Sequence, residues 1–241
     1  GRKTAPETEE YSPGGSAIYR YQTPEKQGFR PPEDVCVSME AVERHMDHIF
    51  PNRGGFVYHE ILSDLVHIDV HILRPAGEGD CYVLYTTGMS DLPMHLPEEI
   101  ADREDLKYAE LYMLLPGDWN VGEENRTAQD LPYESFWPSQ MLKFLARVPH
   151  EYQTWLGWGH TISNPDDAPF APNTKLCSVI LTQPGAFDEE AVCCVLPGGD
   201  AVNFYQMIPL YFEETQFKLS HDSETLLSRF SAQLPEVVDP N

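Results

Sequence analysis

The stretch V-H-I-D-V-H-I-L, residues 66–73, alternates apolar and polar side chains without a break. Successive side chains of an extended chain point to opposite faces, so Val66, Ile68, Val70 and Ile72 share one side. His67, Asp69 and His71 share the other, and the pattern predicts a strand with one buried face. A turn rich in glycine and acid (76–80) follows, then a second strand over 81–87. The short link makes the two a hairpin. Working outward, strands are predicted over 56–61, 108–115, 176–182, 192–196 and 202–212. Helical spacing places Met39, Val42, Met46 and Ile49 on one helix with Ser38 as its N-cap, ended by P-N-R-G-G (51–55). Trp137, Met141, Leu142, Phe144, Leu145 and Val148 form a second stripe, with Pro138 in its first turn. A last helix is predicted over 223–234, with Leu226, Leu227 and Phe230 on one face. Strands that mostly follow one another, with helices near the start, middle and end, predict an α+β domain: a mixed β-sheet flanked by helices. Strict βα alternation, G-x-G-x-x-G and the P-loop do not occur, which argues against a nucleotide-binding fold.

The 241 residues carry 16 Lys plus Arg against 39 Asp plus Glu, a formal charge of −23. A nucleic-acid surface needs a basic face, so nucleic acid is excluded as a partner and a charged partner is expected to be basic. No apolar run approaches the length of a membrane span. The five cysteines (Cys36, Cys81, Cys177, Cys193, Cys194) are odd in number, irregularly spaced and form no CxxC. They are read as small apolar side chains in a reducing, cytoplasmic compartment. Residues 1–34, rich in Pro and Gly and without periodicity, are expected to form a partly disordered N-terminal arm, with Tyr11, Tyr19, Tyr21 and Phe29 laying part of it on the domain surface. Residues 35–234 form the domain and 235–241 a C-terminal tail.

Three constellations could carry chemistry. His67, Asp69 and His71 stand on one strand face and could hold a metal for a metal-assisted hydrolase, with His59 of the neighbouring strand as a further ligand. The competing reading is a solvated polar face. His150 and Glu151, with His160 near Trp155 and Trp158, could form an acid–base pair. Against this, no nucleophile elbow or HExxH occurs, and a loop pinned by aromatics explains the same residues. Gly157 and Gly159 point to close backbone approach around the indoles. The turn T-T-G-M-S-D-L-P-M (86–94) sets Asp91 between two methionines. That suits recognition, while a turn capped by Asp91 is the structural alternative.

That turn resembles the T-S-G-M-S-D-L-P-M signature of the bacterial Suppressor of fused domain. P-H-E-Y-Q-T-W-L-G-W-G-H-T-I (149–162), P-F-A-P-N-T-K-L-C (169–177), Y-A-E-L-Y-M-L-L-P (108–116), F-Y-Q-M-I-P-L-Y (204–211) and W-P-x-x-x-L-K-x-L-A-R (137–147) match the family in order, over roughly residues 35–232. The resemblance implies one α+β domain with no catalytic activity, no cofactor and no metal. Its animal branch sequesters transcription factors with a clamp built from two domains; seven residues follow Leu234, so no second domain is expected and the clamp is not carried over. Its bacterial branch resembles immunity proteins that mask toxins. The G-[LM]-S-D-L turn common to both branches maps onto Gly88, Met89, Ser90, Asp91 and Leu92. These five, with Trp155, Trp158 and His160, are the expected partner-binding residues of a non-enzymatic protein-binding module, and Asp91 is expected at the rim of a concave surface. The alternatives are the hydrolase on His67, Asp69 and His71, and a regulator that sequesters a transcription factor.

Overall fold

The computed structural model describes residues 10–15, 17–18, 28–32, 37–124, 130–183 and 192–230. In chain order the elements are β1 (Glu10–Tyr11), β2 (Ala17–Ile18), α1 (Met39–Ile49), β3 (Gly55–Tyr58), β4 (Asp69–Leu73), β5 (Tyr82–Thr87), β6 (Tyr108–Leu115), α2 (Tyr133–Glu151), β7 (Thr161–Ser163), β8 (Ser178–Thr182), β9 (Cys193–Val195), β10 (Ala201–Leu210), α3 (Phe212–Ser220) and α4 (Ser223–Phe230). The expected hairpin is present, with β4 antiparallel to β5. The main sheet runs β3-β4-β5-β6-β10-β8-β7. Its one parallel pair among the described strands is β6 with β10; β9 and β8 share the opposite edge of β10 in succession. The α+β class with a mixed sheet is therefore what the chain adopts.

Alternation along the strands divides the core between the two faces of the sheet. Val70, Ile72, Leu84, Leu111 and Met113 meet Trp137, Leu142 and Leu145 of α2. Leu73, Val83, Tyr85, Tyr112 and Leu114 meet Val42 and Met46 of α1. Further along that second face, Ile208 and Leu210 pack against Leu226 of α4. This covering by α1 corrects the expectation of a half-exposed β4. All five β4 residues are buried, including Asp69 and His71, because the polar side of the strand lies under a helix. The strand is also shorter than predicted. Residues 59–68 form a loop, with Leu65 at φ +66° and the Val66 N–H bonded to the Asp64 carbonyl.

Helix limits differ where proline was misread. Pro138 is not in the first turn: α2 starts at Tyr133, where the Pro132 carbonyl accepts from the Ser135 and Phe136 N–H groups. Pro149 also lies inside α2. The predicted stripe of α2 splits, since Trp137 is buried while Phe144 is 46% exposed. The strand predicted over 202–212 ends at Leu210, and α3 follows. The end of that helix-rich region, from 231 on, lies outside the described residues, as do Cys36, Tyr19 and Tyr21. Among the described cysteines only Cys177 is buried. Two parts of the arm touch the domain through backbone. The Gly14 N–H bonds to the Leu219 carbonyl and the Arg30 N–H to Asp64, while Tyr11 and Phe29 stand exposed.

Trp137 is the largest fully buried side chain among the described residues, stacked on Phe170 at 5.1 Å and edge-on to Trp119 at 6.2 Å. Trp137→Ala is expected to lower unfolding free energy by about 3–5 kcal/mol in urea titrations. Phe144→Ala on the same helix is expected to change it by less than about 0.5 kcal/mol. Equal losses at the two positions would contradict this division of the helix.

Candidate partner-binding site

The turn after β5 is built by contacts from four directions. Gly88 adopts φ +104°, and a Cβ there would lie 1.7 Å from the His67 carbonyl oxygen, so only glycine fits. Met89, Ser90 and Asp91 form one 3-10 turn, and all three are buried. The His150 Nε2–H at the end of α2 donates to the Met89 carbonyl at 2.8 Å. The Ser90 N–H donates to Glu110 of β6 at 3.0 Å. The Asp91 carboxylate accepts from both the N–H and the hydroxyl of Ser38, each at 3.0 Å. Ser38 does precede α1, but its hydroxyl makes no cap on its own helix; it faces the turn instead. Asp91, expected at the rim of a concave surface, is buried here, and its Oδ1 fixes the start of α1. Leu92 is half-buried against the core.

Glu110 was not singled out in the sequence, although it is the one acid in the apolar run 108–115. It is fully buried. Its carboxyl lies 2.7 Å from the Ser90 hydroxyl and 2.5 Å from that of Thr86. The Ser90 hydroxyl is in turn 2.6 Å from that of Ser38. A chain of hydroxyls thus joins two carboxyl groups. Burial, with the Asp91 charge adding to it, pushes Glu110 up to about 8 against the hydrogen bonds that favour its anion. The neutral acid is well served: its O–H can donate to Thr86 Oγ1, which otherwise accepts from the Leu111 N–H.

The second group of expected residues lines one cleft of about 680 Å³. Trp155, Trp158 and His160 share it with Phe144, Ile162 and Lys218. The loop carrying them is pinned at both ends. The Leu156 N–H lies 3.4 Å from Met94 Sδ and the His95 N–H bonds to the Thr154 carbonyl, so the exit of the Gly88 turn holds Trp155 in place. Beyond it, the Gly159 N–H bonds to Leu181 of β8, and Ser223 of α4 donates to the Gly159 carbonyl. The expected close approaches are present. A Cβ on Gly157 would lie 2.7 Å from the Trp155 ring, and Gly159 has φ +80°. Trp155 packs partly on the core and lies edge-on to His160 at 4.5 Å, whereas Trp158 keeps 46% of its surface exposed. Burial lowers His160 to about 4, so it is neutral at pH 7. Trp155 Nε1 and Thr161 Oγ1 are buried without hydrogen-bond partners among the described residues. Lys218 is buried with no ion pair there, and burial lowers its pKa.

The candidate catalytic groupings assemble only in part. His71 turns away from His67 and Asp69: its Nε2 is 2.8 Å from Thr87 Oγ1, and its ring stacks on Tyr85 at 4.5 Å. His67 and Asp69 instead meet His59. His150 serves the Met89 carbonyl and lines a separate cavity of about 260 Å³, while Glu151 is exposed and His160 lies in the larger cleft.

Two outcomes follow from the buried network. Asp91→Ala is expected to destabilise by about 1–3 kcal/mol, since the Ser38 donors lose their acceptor. Asp91→Asn keeps an acceptor oxygen and should cost less; denaturant titration of both variants checks this. Glu110 binds a proton on folding between about pH 4.5 and 8, so stability falls as pH rises through that window. His71, His150 and His160, each lowered by burial from 6.5 to about 4, act in the opposite sense and remove stability as pH falls below 6.5. Among these groups Glu110 alone acts from pH 6.5 to 8, with a slope of at most about 1.4 kcal/mol per pH unit. Glu110→Gln imitates the neutral acid and should flatten that limb.

The sequence matches the Suppressor of fused protein family over residues 64–241. No curated protein matches the sequence. Several solved structures share the fold. A Suppressor of fused homolog from Neisseria gonorrhoeae superposes with a TM-score of 0.60 at 15% identity, covering 84% of this chain and 93% of its own. A chain of the Sufu–Fu complex gives 0.59 at 16%, covering 87% and 91%. Drosophila Suppressor of Fused gives 0.53 at 15%, covering 90% of this chain and 51% of the longer fly chain. At such identities the structures speak for the fold alone; the sequence match extends over well more than half of the chain, and the chain belongs to the Suppressor of fused family.

Proposed function

We propose that the chain is a non-enzymatic protein-binding module of the immunity type, which masks a basic partner such as a toxin domain. The observation that carries this reading is the cleft beside Trp155 and Trp158. Apolar rings line it, and the Trp155 N–H and the Thr161 hydroxyl have no hydrogen-bond partner within the described chain, with Lys218 lining the same cleft. Buried donors left without partners are costly, so the cleft suits an occupant that brings an apolar side chain and acceptor oxygens together. A protein segment does this through a side chain and its neighbouring carbonyls. The half-exposed Trp158 has the character of an interface anchor. The charge of −23 would speed encounter with a basic protein. A related fold stands in a complex called Sufu–Fu, which is a precedent for protein partners.

In this reading Trp155, Trp158 and His160 touch the partner, and Gly88–Leu92 (88–92) hold the cleft wall through Met94 and His95. Masking a toxin and sequestering a regulator are the same physical act of occlusion, and the partner's identity separates them. Coexpression with the products of the genes beside its own is the test. The expected result is a complex that associates more slowly as salt rises and is weakened at least tenfold by Trp158→Ala, with the melting temperature unchanged. Failure to form a complex, or one indifferent to Trp158, would overturn the reading.

A further inference from the structure

The loop 59–68 brings together three side chains from both of its ends. His59 Nδ1 lies 2.9 Å from Asp69 Oδ2, and His67 Nε2 lies 2.9 Å from Asp69 Oδ1. One ligand atom from each of the three residues falls within 4.8 Å of the others. A tetrahedral cation at about 2.0–2.2 Å from its ligands sets them about 3.4 Å apart; the two 2.9 Å contacts to Asp69 would open by about half an ångström, and the wider spacing within the 4.8 Å set would close toward that value.

The arrangement is braced in the manner of a metal site. The other nitrogen of His67, Nδ1, lies 2.5 Å from the Ser63 hydroxyl, which orients the ring. Asp69 is held by the Glu60 N–H at 2.9 Å. Glu60 itself accepts from the Ile68 N–H at 3.1 Å and pairs with Arg147, whose guanidinium also donates to the Asp64 carbonyl. Both ends of the loop are therefore locked, and Glu60 offsets the Arg147 charge, leaving that of Asp69 for a cation. The burial of the ligands is graded. The Asp69 side chain is 4% exposed, His67 23% and His59 72%, so the cluster opens to solvent on the His59 side.

We propose that His59, His67 and Asp69 bind a Zn²⁺-class divalent cation, with a coordination position left open to water or to a partner's side chain. Two imidazoles and one carboxylate favour Zn²⁺, Co²⁺ or Ni²⁺ over Mg²⁺ or Ca²⁺. This site is separate from the cleft and does not depend on the protein-binding reading. His71, which the strand pattern offered as a ligand, is replaced by His59.

The test is calorimetric titration of ZnCl₂ into the full chain after dialysis against a chelator. One equivalent is expected to bind, with a rise in melting temperature through linkage. His59→Ala and His67→Ala should each weaken binding at least tenfold. His59 is exposed, so its variant keeps the fold and gives the clean measurement; Ser63→Ala should weaken binding less. Co²⁺ should give visible d–d bands without a near-ultraviolet thiolate charge-transfer band. Absence of binding by the parent chain, equal binding by the His59→Ala/His67→Ala double variant, or a thiolate band would each overturn the assignment.

Discussion

The buried acceptance of Ser38 by Asp91 is the constraint on which the arrangement depends. It joins the start of α1 to a turn that leaves the opposite end of the β4–β5 hairpin, 53 residues further along the chain. Without it α1 has no fixed entry onto the sheet, and α1 is what covers His71, Tyr85 and Tyr112. The same turn takes His150 from α2 and Glu110 from β6. Helices on both faces are therefore registered against one short segment. Glycine is required at its entry because the His67 carbonyl occupies the space of a side chain. α1 lies outside the residues matched to the family, 64–241, yet Ser38 at its start is tied to the family's turn by three hydrogen bonds.

Much of the sheet was legible because its strands carry strong local patterns. β6 begins and ends where the apolar run does, and the β4–β5 hairpin follows from a short polar link between alternating segments. What was not legible was which faces become covered. His67, Asp69 and His71 look like a solvent face in sequence, since periodicity records alternation and says nothing about a helix arriving from residues 39–49. The start of α2 was misplaced because a proline inside a helix resembles a proline at its start. The expected strand 202–212 takes in only Phe212 of α3, because Tyr211 and Phe212 continue an aromatic run, and the helix itself starts where the Glu214 carboxylate accepts from the Tyr211 N–H.

The site was half legible for a related reason. The W-L-G-W-G-H segment announces crowded indoles, and both tryptophans and His160 do line one cleft. The G-M-S-D turn has equally suggestive chemistry, a carboxylate between methionines, but composition cannot distinguish an acid offered to a partner from one used inside the chain. Ser38 is the decisive residue, and it lies too far away in sequence to be paired with Asp91 by inspection. The same holds for Lys218, which is set into the cleft by α3, an element the pattern did not reveal.

Holding and touching are therefore divided between two segments that the family signature presents side by side. The turn 88–91 commits the Met89 carbonyl, the Ser90 N–H and hydroxyl and Asp91 Oδ1 to other elements, and a shift in any of those elements would strand a buried polar group. Its exit carries that constraint outward through Met94 and His95 to the backbone of Thr154 and Leu156. The Trp155–His160 wall inherits a fixed position without itself being buried in full. A wall placed in this way can afford unpartnered donors, because their cost is borne by a framework whose stability lies elsewhere. It also loses little conformational freedom when an occupant arrives, which is the condition under which a modest cleft binds tightly.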